Sequence, residues 1–184
     1  FITEQLRNEY MPMLAAIAES PKPFIASING AAAGIGAALA LSCDLMVMAE
    51  DAFIYSAFGA ISLVPDGGFH WHLARQIGSK KAYEIILESQ RLPAKQCLEL
   101  GLANKVFWPD DLKECTLAWA ENLAKAAPLT ACYSKEILAK VSQQTLIESM
   151  DLEAQIQNTC IRSQDFKEGT EAFFARRKPK FKGE

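Results

Sequence analysis

Phe24-Ile25-Ala26-Ser27-Ile28-Asn29-Gly30-Ala31-Ala32-Ala33-Gly34-Ile35-Gly36-Ala37-Ala38-Leu39-Ala40-Leu41-Ser42-Cys43-Asp44 is the stretch whose reading decides the fold. Phe24 to Ile28 is a short apolar run stopped by Asn29-Gly30, the pattern of a buried strand that ends in a turn. Glycines at 30, 34 and 36 then lead into Ala37 to Cys43, a helix of small residues suited to lie close against neighbouring backbone. Asp44 to Ala49 is strand-like again, and Phe53 to Tyr55 follows the polar corner Glu50-Asp51. Strand and helix alternate, which predicts an α/β fold.

Upstream, Ile2, Leu6, Tyr10, Met13, Leu14 and Ile17 recur at three- and four-residue steps, predicting a helix from Phe1 to Glu19 with one buried face. Pro12 predicts a kink in it, and Ser20-Pro21-Lys22-Pro23 ends it. Downstream of Leu63-Val64-Pro65-Asp66-Gly67-Gly68 the pattern turns helical through Trp71 and Leu73, Ala82 to Leu87, and Ala94 to Leu100, before a short strand from Ala103 to Phe107. From Asp110 onward the apolar spacing is helical throughout, over 112–127, 129–141, 145–163 and 165–175. This divides the chain into an α/β core over 1–109 and a helical region over 110–184.

The 184 residues suffice for one compact domain with a helical appendage. Half are hydrophobic, and a net charge of -3 gives no reason to expect a nucleic-acid partner. The longest nearly apolar run, Ala31 to Leu41, is too short to span a bilayer, so no membrane partner is expected either. Five cysteines form neither a CxxC pair nor a zinc spacing. They read as reduced, mostly buried thiols of a cytoplasmic protein. Phe1 stands inside a helical pattern without a preceding Met or cap residue, so a further N-terminal portion is expected.

Two places attract a chemical reading. The glycines between Asn29 and Gly36 lie where a strand gives way to a helix N-terminus, whose outward N–H groups suit an anion or a developing oxyanion. The same glycines also suit nothing more than a tight turn and close packing. Their spacing is neither GxGxxG nor Walker, and no lysine follows. Asp66, between Pro65 and Gly67-Gly68, reads either as the N-cap of the following helix or as an acid/base carboxylate at a pocket lined by Phe53, Phe58, Leu63 and Phe69. His70 and His72 point in directions about 200° apart on a helix, cannot grip one ion, and are taken as structural, so no metal is expected. The run Arg176-Arg177-Lys178-Pro179-Lys180-Phe181-Lys182 suits a solvated tail or a phosphate contact.

Lys22 through Gly36, ending in Ser42-Cys43-Asp44, resembles the central motif of the crotonase superfamily, the enoyl-CoA hydratase/isomerase family. Leu63 to Gly68, Arg91-Leu92-Pro93-Ala94 through Gly101-Leu102-Ala103, and Phe166-Lys167-Glu168-Gly169 through Phe181 continue the resemblance in order. It implies a spiral of ββα turns and C-terminal helices that build trimers, often paired as hexamers. It also implies an acyl-CoA thioester substrate and no cofactor, coenzyme A entering as part of the substrate.

By position, the resemblance puts an oxyanion-hole N–H on Ile35, acyl-pocket contacts on Gly34, Phe58 and Leu63, and coenzyme A contacts on Phe173 and Arg176. A second oxyanion donor of the family belongs to a loop upstream of Phe1. The two glutamates of the family's hydratases fall on Ala38 and Phe58, neither of which transfers a proton. Asp66 matches the single carboxylate of some isomerases in the family. The expectation is an enoyl-CoA double-bond isomerase with Asp66 as proton shuttle. The alternatives are a hydratase or other crotonase reaction, and a catalytically silent acyl-CoA-binding subunit.

Overall fold

A computed structural model describes residues 1–184. The chain forms two compact units, one of Phe1–Ser20 and Phe24–Leu117, the other of Pro21–Pro23 and Ala118–Glu184.

The first unit opens with α1 (Ile2–Gln5), a π-helical turn over Leu6–Tyr10, and α2 (Met11–Glu19). Pro12 sits in the first turn of α2. It has no N–H, and its ring crowds the carbonyl four residues back, so the chain widens just before it, with the Met11 N–H reaching Leu6 O. The kink expected at Pro12 therefore takes the form of a π turn.

Two ββα turns follow. The first is β1 (Ile25–Ile28), β2 (Ala31–Ala33) and α3 (Ile35–Ser42); the second is β3 (Leu45–Ala49), β4 (Phe53–Tyr55), α4 (Phe69–Ile77) and α5 (Ser79–Leu87). Each bend, at Asn29-Gly30 and at Glu50-Asp51, carries the chain from one sheet to another. Equivalent strands therefore stack in parallel, Ile25 opposite Leu45 in one sheet and Ala31 opposite Phe53 in the other. Asp44 ties the turns together, its carboxylate accepting the Phe24 N–H at 2.8 Å. β5 (Arg91–Pro93) runs antiparallel beside β4, α6 (Ala94–Glu99) follows, and β6 (Lys105–Phe107) closes the first sheet in the order β1-β3-β6. β2 and β5, three residues each, escaped the sequence reading because neither shows enough alternation to declare a period.

Val47, Met48, Ala49, Ile54, Phe69 and Leu73 are fully buried and form the centre of this unit. α3 is buried along most of its length, and Ala37 and Ala38 are wholly enclosed. Only the small side chains read in the sequence permit such an approach.

α7 (Leu112–Leu123) leads into the second unit, where α8 (Pro128–Lys140), α9 (Leu146–Cys160) and α10 (Gln164–Phe174) follow. α9 starts at a capping box: Thr145 Oγ1 accepts the Glu148 N–H at 3.3 Å while the Glu148 carboxylate accepts the Thr145 N–H at 2.7 Å. The basic tail folds back on α10. Asp165 accepts the Lys182 and Gly183 N–H groups at 2.7 and 2.8 Å, and Glu168 holds Arg177 through two contacts of 2.6 and 2.8 Å.

No helix is long and apolar enough to cross a membrane. All five cysteines are free, but only Cys97 is buried and the other four are half-buried, which corrects the expectation of mostly buried thiols. Cys115, Cys132 and Cys160 lie on helices with few buried residues, and Cys43 follows the end of α3.

Candidate active site

The N-terminus of α3 is built on Gly34, whose φ of 55° and ψ of -125° lie outside the regions open to side-chain-bearing residues. Its carbonyl accepts the Ala37 and Ala38 N–H groups at 3.0 and 3.1 Å, starting the helix. The N–H groups of Ile35 and Gly36, one turn too early for any carbonyl of α3, point out of its positive end. Phe58, buried, lies beside this turn: a Cβ on Gly34 would meet its ring tip at 3.9 Å. The Phe58 ring meets Phe69 edge-on, with centroids 6.1 Å apart.

Gly67 brings the second half of the site to the same place. At φ +60°, a Cβ added there would lie 2.8 Å from both the Ala38 Cβ and the Ile35 Cδ1, and 3.2 Å from a Leu14 methyl. The backbone next to Asp66 is thus pressed against the start of α3. Asp66 does not cap α4: the N-cap is Gly68, without a side-chain bond, and Asp66 engages the helix only through its own carbonyl, which accepts the Phe69 N–H at 3.1 Å. Its Oδ1 is buried and has no hydrogen-bond partner in the chain.

Asp66 lies at a cavity of about 500 Å³. The opposite wall comes from the N-terminal helical segment, with Leu6, Tyr10, Met11, Leu14 and Ala15; Ser42, Trp71 and His72 complete it. The walls expected from sequence are elsewhere. Phe69 is wholly in the core, Phe53 packs under Arg91 with the guanidinium 5.3 Å from its ring, and Leu63 is exposed. Helix packing turns Phe69 into the core and the strand alternation of β4 turns Phe53 away from it, and linear proximity to Asp66 did not reveal either.

His72, set aside in the sequence as structural, lines this cavity, and its Nε2 lies 3.2 Å from Ser42 Oγ. Burial, and then the charge of Arg75, hold its pKa below the ordinary imidazole value. His70 is exposed. Phe173 and Arg176 belong to the second unit, where Phe173 lines an aromatic cavity with Phe166, Phe174 and Phe181, and Arg176 adopts a left-handed φ of 52° just after α10. The cavity-lining residues that the sequence reading missed include Tyr10, Met11, Leu14, Ser42 and His72. Only the helical period of 1–19 could have hinted at any of them, and that period says which face is buried, not against what.

A sequence profile described as enoyl-CoA hydratase/isomerase matches residues 3–184. The chain belongs to that family. Family members similar to it include a probable enoyl-CoA hydratase of Rhodobacter capsulatus, 36% identical over 178 residues that cover 97% of this chain and 69% of that protein. Another is the 1,2-epoxyphenylacetyl-CoA isomerase of Escherichia coli, 35% identical over 95% of this chain and 66% of the relative. The crystal structure of an enoyl-CoA hydratase from Bacillus anthracis superposes with a TM-score of 0.93 at 32% identity, covering 98% of this chain and 71% of that one. The chain thus spans about two thirds of the length of these relatives. The ββα spiral and helical C-terminal region are those of the enoyl-CoA hydratase/isomerase family, whose members carry both hydratase and isomerase names.

Proposed function

We propose that this protein is an enoyl-CoA double-bond isomerase in which Asp66 shuttles the proton and the Ile35 N–H stabilises the enolate oxygen. One observation carries the reading: a carboxylate with a buried, unpartnered oxygen lines a largely apolar cavity directly beside the N-terminus of α3. A thioester oxygen at the Ile35 N–H withdraws charge from the acyl chain. Asp66 then takes the C2 proton of a 3-enoyl thioester, the electrons spread as a dienolate over C2 to C4, and the same carboxyl returns the proton at C4. The double bond moves from C3 to C2 and no water is consumed. Ala38 and Phe58, where the family's hydratases carry glutamates, offer nothing to activate water.

Gly34, Phe58 and Leu63 are the proposed acyl-chain contacts, and Phe173 and Arg176 the proposed contacts for coenzyme A. Exposed Leu146, Ile147, Phe173 and Phe174 in the second unit support assembly into the trimers or hexamers that the resemblance implies.

The test is conversion of 3-enoyl-CoA to its conjugated 2-enoyl isomer by the intact protein. Asp66→Asn is expected to lose roughly 10²–10⁴-fold in kcat while still binding the thioester. Equal rates for the two proteins end the proposal. Hydration of crotonyl-CoA that survives Asp66→Asn instead favours the hydratase reading, for which the names of several relatives speak.

A further inference from the structure

The hydrogen-bond order around His72 assigns its tautomer. The Ser42 hydroxyl has one proton, which it donates to Ala38 O at 2.8 Å. Ser42 Oγ must therefore accept from His72 Nε2, 3.2 Å away. A ring with its proton on Nε2 keeps a lone pair on Nδ1, and Nδ1 makes no hydrogen bond within the chain. The charged or titratable groups around the ring are Arg75 on its own helix, Asp66 from the preceding turn, and Arg7 and Tyr10 from the N-terminal segment. Burial and Arg75 favour the neutral ring.

The His72 ring thus lines, with its one uncommitted acceptor, a cavity whose wall is mostly hydrocarbon. Acceptors left facing an apolar chain cost free energy, so such a wall favours a ligand that brings a donor. We infer that His72 is a specificity-determining residue that accepts, through Nδ1, a hydrogen bond from a hydroxyl group on the substrate's acyl chain. The inference rests on the cavity beside Asp66 being the acyl pocket.

Calorimetry with hexanoyl-CoA and its 3-, 4-, 5- and 6-hydroxy derivatives tests it. One hydroxy ester is expected to bind wild-type protein roughly tenfold more tightly than hexanoyl-CoA, the gain of about one hydrogen bond. His72→Leu should bring that ratio to about one, whatever it does to hexanoyl-CoA binding itself. No preferred hydroxy ester, or a preference that survives His72→Leu, overturns the inference. Ala15→Trp separates this from failure of the underlying reading. If filling the cavity leaves hexanoyl-CoA binding untouched, the cavity is not the acyl pocket and both fall; if binding is blocked, the ratio alone decides.

Discussion

Gly67 couples stability to chemistry at a single residue. With φ at +60° and neighbours on three sides, it permits the peptide beside Asp66 to touch Ile35 and Ala38. Gly67→Ala adds left-handed strain of about 1–2 kcal/mol and overpacking of about 1–3 kcal/mol. A total loss of about 2–5 kcal/mol is expected in urea unfolding, with a disproportionate fall in isomerase kcat as Asp66 moves. An alanine variant as stable as wild type would show that the close approach is not needed. Asp66 also illustrates how far a sequence takes one residue. Of its two readings, the local sequence favours the cap, because aspartate before a helix is most often one, and only the family resemblance favours the acid/base group. They part only in three dimensions, where Gly68 occupies the cap position and the carboxylate lies at a cavity.

At the scale of elements, the helices are held by different means. α3 depends on burial, with Ala37 and Ala38 fully enclosed, whereas α9 has a mostly exposed surface and relies on its Thr145/Glu148 box. Thr145→Ala is therefore expected to cost about 1 kcal/mol, seen as a lower denaturation midpoint followed by far-UV circular dichroism. Absence of any shift would mean that the box contributes nothing beyond what water supplies. The elements themselves were largely legible: long amphipathic periods declare helices, and apolar runs ended by Asn-Gly or Pro declare strands. β2 and β5 were not, because the uniform Ala31–Ala33 and the Pro-ended Arg91–Pro93 show no strand pattern of their own and are defined by pairing with β4.

For the chain as a whole, the tail is an electrostatic latch. Arg177 first, and then the Lys180 N–H, hold the Glu168 carboxyl down to about pKa 2. Its folded value lies below the ordinary one, so the contribution is complete above about pH 4.5 and is lost as pH falls toward 2. Amide exchange at Lys180, corrected for intrinsic rates, should accelerate over that window, and Glu168→Gln should accelerate it already at pH 7. A flat profile in wild type would sink the latch. For the proposed assembly, sedimentation should give three or six times the chain mass, and Ile147→Asp should lower it; a monomer at micromolar concentration contradicts the proposal.

The residues by themselves determined the α/β alternation, the small-residue helix, the helical C-terminal half and the family, because local periodicity and ordered motifs survive in one dimension. They also placed Gly34 and Asp66 at the ends of elements, where backbone donors and carboxylates are available. Only the tertiary structure decided what faces what. The N-terminal segment, roughly fifty residues before Asp66, supplies the opposite wall of its cavity, and His72 joins through Ser42 on another helix. Such contacts arise from the packing of separate elements, and no spacing along the chain encodes which buried face meets which.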